Sequence, residues 1–567
     1  MKKILFLLMI TISLGFLSTS CTKDFAELNK NPNMVNNPDL GMLYTSALYT
    51  LGQYQYTEWF YDNYQYHMRY TEQLVSGGGN GSGFNEVGAN GNRYSIFYVG
   101  IFNTLDEIRR RIDAMPVITK PNYEKFRAMT YIIQIMQGIK VTDTYGSMPY
   151  IEAEMGRYDG KFTPKYDTQE ELFSTWNKQL NDAIAILIAD KANQVTPGIQ
   201  DFVYAGDYLK WAKLANSLKL RIAVRLEKAN LATAKTIINE AVAGTAGLIT
   251  ETADQMVWAP ANDYRGEAQD FWGSPSGAKN FINYLRKNQD PRLRFFFEKN
   301  NFSQTTVSLL TTQGKALPKF VKNPVVEPWD RYQGAPVSPD SASIYDYFRA
   351  YKDNAGTTYS QLSFINRKLF NPQYNGNTGW WSEVYFGEAE TSLYLAEFIE
   401  KGYVTGKGTA QSWYEKGVKA SLNAFNTIAA VAKIDNYATL QLATGEDQTL
   451  LARADVAYGT NNLEKIYLQQ YVNFFRLPNE CNTLVKRTGY PKRNSTILAW
   501  EPVKASGIEL VFPRRFPINI PGVTINLTNF NAAITQQGFS VGKNDGPTLN
   551  AERVWWDKNS PNYGAGI

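Results

Sequence analysis

The sequence is short of the residues on which most metal and nucleophile chemistry depends. It holds one histidine and two cysteines in 567 residues. Sites built on two histidines are excluded, which removes HExxH zinc proteases, two-His iron centres and His-rich metal clusters. Four-Cys and Cys2His2 zinc sites fail on the same count. A Ser-His or Cys-His nucleophile would have to use His67, and no GxSxG elbow accompanies it. His67 lies among Tyr64, Tyr66 and Tyr70 on a helical stretch, so a packed or hydrogen-bonded role is expected. A strong charge of one sign is missing too: 58 Lys+Arg stand against 53 Asp+Glu, a net +5 that argues against a dedicated nucleic-acid binder. The densest basic run, Arg109-Arg110-Arg111, is flanked by Asp106, Glu107 and Asp113 and reads as a solvated helix face.

Long apolar runs are absent beyond the N-terminus. Lys2 and Lys3 precede an uncharged apolar stretch, Ile4 to Phe16, too short for a spanning helix and suited to a cleaved signal over residues 1–20. Ser18, Thr19 and Ser20 then lead to Cys21, as in lipoprotein signals whose Cys is acylated and becomes the new N-terminus; Leu17 stands one place earlier than usual. Removing Lys2 and Lys3 leaves 56 basic residues against 53 acidic. Lipidation of Cys21 would leave Cys481 alone, so no intramolecular disulfide is expected and stability must come from a packed core. Residues 21–38 read as a lipidated tether and 39–567 as one body.

The body reads as mostly α-helical. Tyr49, Tyr56, Phe60 and Tyr64 recur at helical spacing. Pro121 opens a helix with Phe126, Met129, Ile133 and Met136 on one stripe. Thr168 to Glu171 form a capping box before Phe173, Trp176, Leu180, Ile184 and Leu187. Another helix starts near Asp207 and carries Trp211, Leu214, Leu218, Ile222 and Leu226. Ala234-Ile238-Ala241 and Ala410-Tyr414-Gly417 share a small–apolar–small spacing, the packing signature of the second helix of a tetratricopeptide repeat. Together these predict a tetratricopeptide-like helical-repeat scaffold with few short strands. The stretches from about Met256 to Gly277 and from Val325 to Trp381 are rich in Pro, Gly, Asn and aromatics and too long for simple connections, so insertions spanning about 256–381 are read as binding loops. Ser76 to Gly83 is glycine-rich, but no GK[ST] follows and the GxGxxG spacing is absent, so it is no phosphate loop.

Lined up in order, several segments resemble the SusD/RagB family: the lipoprotein signal, Asn29-Lys30-Asn31-Pro32-Asn33, Val141-Thr142-Asp143-Thr144-Tyr145-Gly146-Ser147-Met148-Pro149-Tyr150, Lys287-Asn288-Gln289-Asp290-Pro291-Arg292-Leu293 and Tyr332-Gln333-Gly334. Glu388-Ala389-Glu390 with Leu395-Ala396-Glu397, Arg487-Thr488-Gly489-Tyr490-Pro491, Pro513-Arg514-Arg515-Phe516-Pro517 and Val554-Trp555-Trp556-Asp557-Lys558 complete the series. The resemblance implies a surface-exposed, lipid-anchored outer-membrane nutrient-binding protein. It implies a SusC-type TonB-dependent transporter as partner, against which the helical repeats pack, and oligosaccharides or, in some members, oligopeptides as ligands. Lys23-Asp24 resembles the short charged signal that sends such lipoproteins to the cell surface.

Aromatic residues make up 14% of the chain, and where they sit decides what they can do. Sugar rings stack their C–H faces on exposed aromatic rings and need planar polar partners for their hydroxyls. Trp176, Trp211 and Trp413 fall on helical stripes and are expected in the core; Trp555 and Trp556 look structural. Trp272, Trp380 and Trp381, with Tyr264 and Tyr374, lie in Gly/Asn/Ser-rich loops and are candidate platforms; Phe84-Asn85 offers an adjacent ring and amide, with Tyr66, Arg69 and Arg331 as polar partners. Glycan is the first choice of ligand, oligopeptide the alternative within the class, and a glycoside hydrolase with a hidden carboxylate pair the alternative outside it. The helical pattern favours binding without turnover. No cofactor is expected; loop aspartates could hold a structural calcium, but no D-x-[DN]-x-[DN]-G loop supports one.

Overall fold

The computed structural model describes residues 38–53, 58–88, 91–261, 274–344, 346–518 and 523–567. Cys21, Tyr264 and Trp272 lie outside them. Helices dominate: α1 (Leu40–Gln53), α2 (Asn103–Asp113), α3 (Glu124–Tyr145), α4 (Gln169–Ile188), α5 (Tyr208–Leu226), α6 (Leu231–Ala243), α7 (Glu388–Glu400), α8 (Ala410–Ala432), α9 (Asn462–Asn473) and α10 (Pro478–Thr488) form the frame. The helices α3 to α6 pack each on the next, and α7 packs between α8 and α9.

Local chemistry sets where these helices begin. Thr168 caps α4 in a reciprocal box with Glu171, and Asp207 caps α5 through the N–H groups of Leu209 and Lys210. Pro121 falls in a 3-10 turn, Lys120–Tyr123, just ahead of α3. The small–apolar–small triplets do what their spacing predicts: Ala234, Ile238 and Ala241 are buried on α6, and Ala410, Tyr414 and Gly417 on α8. Gly417 is required by close approach, because a Cβ there would sit 2.7 Å from the Leu393 side chain of α7. Trp176 and Trp211 are fully buried and Trp556 is core. Trp413 departs from the expected core role. It is half-buried, with its indole N–H on Lys407 O at 2.5 Å, and the neighbouring Tyr414 fills the interior instead.

The interior between the helices is tied by buried arginine–carboxylate pairs. Arg225 of α5 meets Asp143 of α3 at 2.6 Å and Glu480 of α10 at 3.0 Å. Arg221 meets Glu390 at 2.6 Å, Arg487 meets Glu397 at 2.5 Å, and Arg514 Nε meets Asp557 at 2.6 Å. Burial alone would raise the Glu480 carboxyl, but the charges of Arg225 and Arg221 outweigh it and hold the group below its ordinary range. The motifs that run in order along the chain thus contribute Asp143, Glu390, Glu397, Arg487, Arg514 and Asp557 to structural ties between distant segments. Such pairs add little net stability against apolar substitutes, yet losing one partner leaves a buried charge.

Strands are short and come as four antiparallel two-stranded pieces: β1 (Leu74–Val75) with β3 (Ser276–Gly277), β2 (Met256–Trp258) with β6 (Glu383–Phe386), β4 (Tyr351–Lys352) with β5 (Thr358–Tyr359), and β7 (Lys504–Ala505) with β8 (Ile508–Glu509). The first pairing brings the 256–381 insertion onto the segment just before the glycine loop. Ala278 N also donates to Gln73 O at 3.1 Å, and Ser276 bridges to Phe364. The insertion also holds short helices, at Lys279–Lys287 and Gln304–Thr312.

Candidate ligand-capture site

Residues Glu58–His67 wind as a π-helix that continues through Met68–Tyr70, and this segment delivers Tyr64, Tyr66 and Arg69 to one end of β1. π-helical turns are uncommon and concentrate at functional sites. Arg69 Nε donates to Asn80 Oδ1 at 2.9 Å and Nη1 to Gln65 O at 3.1 Å, while Nη2 bonds to no described residue. Its guanidinium carbon lies 4.9 Å from the Phe84 ring centroid. Asn80 is itself fixed, its Nδ2 on Val337 O at 2.9 Å, so the insertion holds the residue that orients the cation.

The glycine loop runs between these groups. Gly78 and Gly81 face open space, and Gly79 has φ +89° with room for a Cβ only 3.1 Å from the Phe348 ring. Phe348 is half-buried against the loop. Behind it stands an aromatic wall: Tyr70 stacks on Phe512 at 5.0 Å, Phe84 meets Phe512 edge-on at 5.2 Å, and Trp500 stacks on Tyr563 at 5.7 Å. Tyr70 OH donates to Phe84 O at 3.0 Å. Tyr66 accepts from Gly88 N at 2.8 Å, and its ring lies 5.4 Å from Phe516. Burial raises the Tyr66 hydroxyl, partly offset by that N–H, so it acts as a neutral phenol.

The structure brings Tyr66, Arg69, Phe84 and Asn85 together, but changes two of their roles. Phe84 is buried and serves as the floor under Arg69 rather than an open platform; Asn85 is buried and its amide is committed to Val511 O at 2.9 Å. Tyr374 is half-buried and pairs with Arg367, whose guanidinium lies 4.3 Å from its ring. Other candidates lie elsewhere. Trp380 is half-buried at the C-terminal end of α8, its backbone N–H donating to Val431 O at 3.2 Å and Lys433 5.4 Å above its ring. Trp381 is core, packed near Arg476, which pairs with Glu383. Its loop composition suggested exposure, but the β6 strand that follows at once carries it inward. Arg331 is committed to Glu327 at 2.5 Å and to Asn300, tying down its own loop.

Sequence reasoning missed Asn80, Phe348 and Arg367. Asn80 lay in plain view as the amide within the glycine run; Phe348 and Arg367 carried no local signal beyond lying in the long insertion. His67 is buried, lies tilted against the Phe516 ring with centroids 5.1 Å apart, and is held neutral by burial and by the charges of Arg93 and Lys486. Cys481 is a buried free thiol, raised by burial. Among the described residues no cluster of three His, Cys, Asp or Glu could hold a metal ion, and no helix is long and apolar enough to cross a membrane.

The fold is thus a helical-repeat frame with a long insertion that closes on an arginine–aromatic cluster. Family comparison then settles its kinship: the sequence profile described as "Susd and RagB outer membrane lipoprotein" matches residues 27–333, and one described as "Starch-binding associating with outer membrane" matches 346–517. The chain belongs to the SusD/RagB family. A search of curated proteins finds no match. Among solved structures it is similar to a chitin-binding protein (21% identity, 92% of this chain and 100% of that one, TM-score 0.66). It is similar as well to a SusD homologue from Bacteroides fragilis (22%, 92% and 100%, 0.65) and to a chitin-binding SusD homologue from Flavobacterium johnsoniae (20%, 92% and 98%, 0.61). At these identities the likeness is one of fold.

Proposed function

We propose that the chain captures oligosaccharides at the Arg69–Phe84 site and passes them, uncut, to a SusC-type TonB-dependent transporter in the outer membrane. Cys21 carries the lipid in this reading, and the body faces the cell exterior. The observation that supports it is the Arg69 guanidinium, oriented by Asn80 and backed by Phe84, with an N–H pair left for a ligand beside an open glycine loop. A fixed planar donor next to half-buried rings suits vicinal hydroxyls on a ring with apolar faces. Two relatives of similar fold are named as chitin-binding, which favours a glycan ligand. Capture calls on no cofactor. Incubation with oligosaccharide pools tests the reading: binding with intact recovery supports it, shortened products replace it with hydrolysis, and binding of peptide pools alone removes the glycan.

A further inference from the structure

We propose that an interior cavity between α3, α5 and the start of α10 binds a small monovalent anion of the chloride class. The cavity has a volume of about 40 Å³, room for a few water-sized bodies and too little for a sugar ring. It lies against the first turn of the π-helix, at Glu58, and so at the far end of the segment that carries Arg69. Leu477, Pro478, Asn479 and Glu480 line it, so α10 turns its N-terminus toward the space. No side chain caps that end. The N–H groups of Asn479 and Glu480 donate to no described residue, and a helix end of this kind carries about half a positive charge.

A second group, independent of the helix end, asks for the same kind of ligand. Gln137 of α3 lines the cavity at 1% exposure, and its Nε2 has no hydrogen-bond partner. An amide N–H left unpaired in the interior is costly. Lys140, one turn on, meets Glu58 at 3.4 Å and keeps donor capacity for a further acceptor. The carboxylates around the cavity are spent by contrast. Glu383 pairs with Arg476, Glu480 with Arg225 at 3.0 Å and Arg221 at 3.8 Å, and Glu58 is shared with Arg93 at 3.4 Å. The unspent groups are therefore donors, which selects a ligand that only accepts. A water would bring two protons that need acceptors of their own. The charges of the wall balance, Lys140, Arg221 and Arg476 against the three glutamates. Only the helix end and the amide tip the site positive, which suits one negative charge and not two.

Thermal melts of the mature chain at constant ionic strength, with chloride exchanged for gluconate, test the site in solution, because gluconate is too large to enter. Bromide in place of chloride, located in crystals of the chain by its anomalous scattering, tests the position. A saturable rise in melting temperature of about 2 °C with chloride is expected, with bromide within hydrogen-bonding reach of Gln137 Nε2 and the Asn479 N–H. Gln137→Leu, which keeps the bulk and removes the donor, should abolish both. Gln137→Glu, which sets a carboxylate beside the anion's place, should do the same, and the bromide position in the parent stands even where neither variant folds. Equal melts in chloride and gluconate overturn the proposal. So do bromide found only elsewhere, water alone in the cavity, or a chloride effect that survives the substitutions. Bromide in the cavity with no chloride effect on the melt marks binding at crystal concentration only and overturns it as well.

Discussion

The guanidinium of Arg69 lies 4.9 Å from the centroid of the Phe84 ring, and Asn80 fixes its tilt through a 2.9 Å bond. That relationship turns a half-buried cation into an oriented donor. Cation–ring contacts of this kind contribute about 0.5–2 kcal/mol, but the function proposed for Arg69 lies in its remaining N–H groups. Arg69→Ala should therefore lower glycan affinity at least ten-fold, about 1.4 kcal/mol, with only a small fall in melting temperature. Arg69→Lys should recover little of it, because an ammonium lacks the planar fork. Calorimetry on the two variants checks both statements.

Trp380 and Trp381 are neighbours with opposite fates. Trp381→Ala removes a core ring and should cost about 3–5 kcal/mol in urea unfolding. Trp380→Ala, at a half-buried position, should cost about 1–2 kcal/mol. Equal costs would contradict the burial seen here.

Arg225 is shared by Asp143 and Glu480. Arg225→Met leaves Asp143 without its cation and Glu480 with Arg221 alone, and should cost about 3–5 kcal/mol. Deleting the exposed Lys178–Asp182 pair, at 2.6 Å on the surface of α4, should cost about 0.5 kcal/mol or less. The same network sets acid sensitivity. The folded Glu480 carboxyl lies below its unfolded value of 4.5, so its contribution is present above that pH and is lost as pH falls further. Denaturant unfolding at a series of pH values from 6 down to 2 should show this contribution lost between 4.5 and about 2.

His67 gives a second, separable pH dependence because the chain has no other histidine. Its folded value is pushed down from 6.5 by burial and then by Arg93 and Lys486. The unfolded chain takes up a proton near pH 6.5 that the folded chain refuses, so stability falls as pH drops below 6.5. His67→Phe should flatten the part of the curve between about pH 6.5 and 5, read as the difference between variant and parent melts.

The repeat helices were legible because their signals are local: the Thr168 cap, the Asp207 cap and the Gly417 approach each act within a few residues or one helix contact. Half of the site was legible for the same reason, since Tyr66, Arg69 and Phe84 sit close in sequence on either side of β1. Phe348 and Arg367 were not, because the contacts that bring the insertion onto this segment, the β1–β3 pairing and the Asn80–Val337 bond among them, join residues far apart in sequence, and two-residue strands leave no readable period. Trp381 shows the converse failure: its polar neighbours described the loop before it, not the strand after it. The buried arginine–carboxylate ties were not legible, since nothing local shows that Arg225 meets a Glu480 that lies 255 residues away.

Titration calorimetry of the mature chain and its Arg69→Ala variant with chito-oligosaccharides, followed by chromatography of the recovered sugar, tests the central claim most directly. The account predicts saturable binding by the parent, binding weakened at least ten-fold in the variant, and sugar of unchanged length from both. Equal binding by parent and variant, or sugar returned shorter than it was supplied, would contradict it.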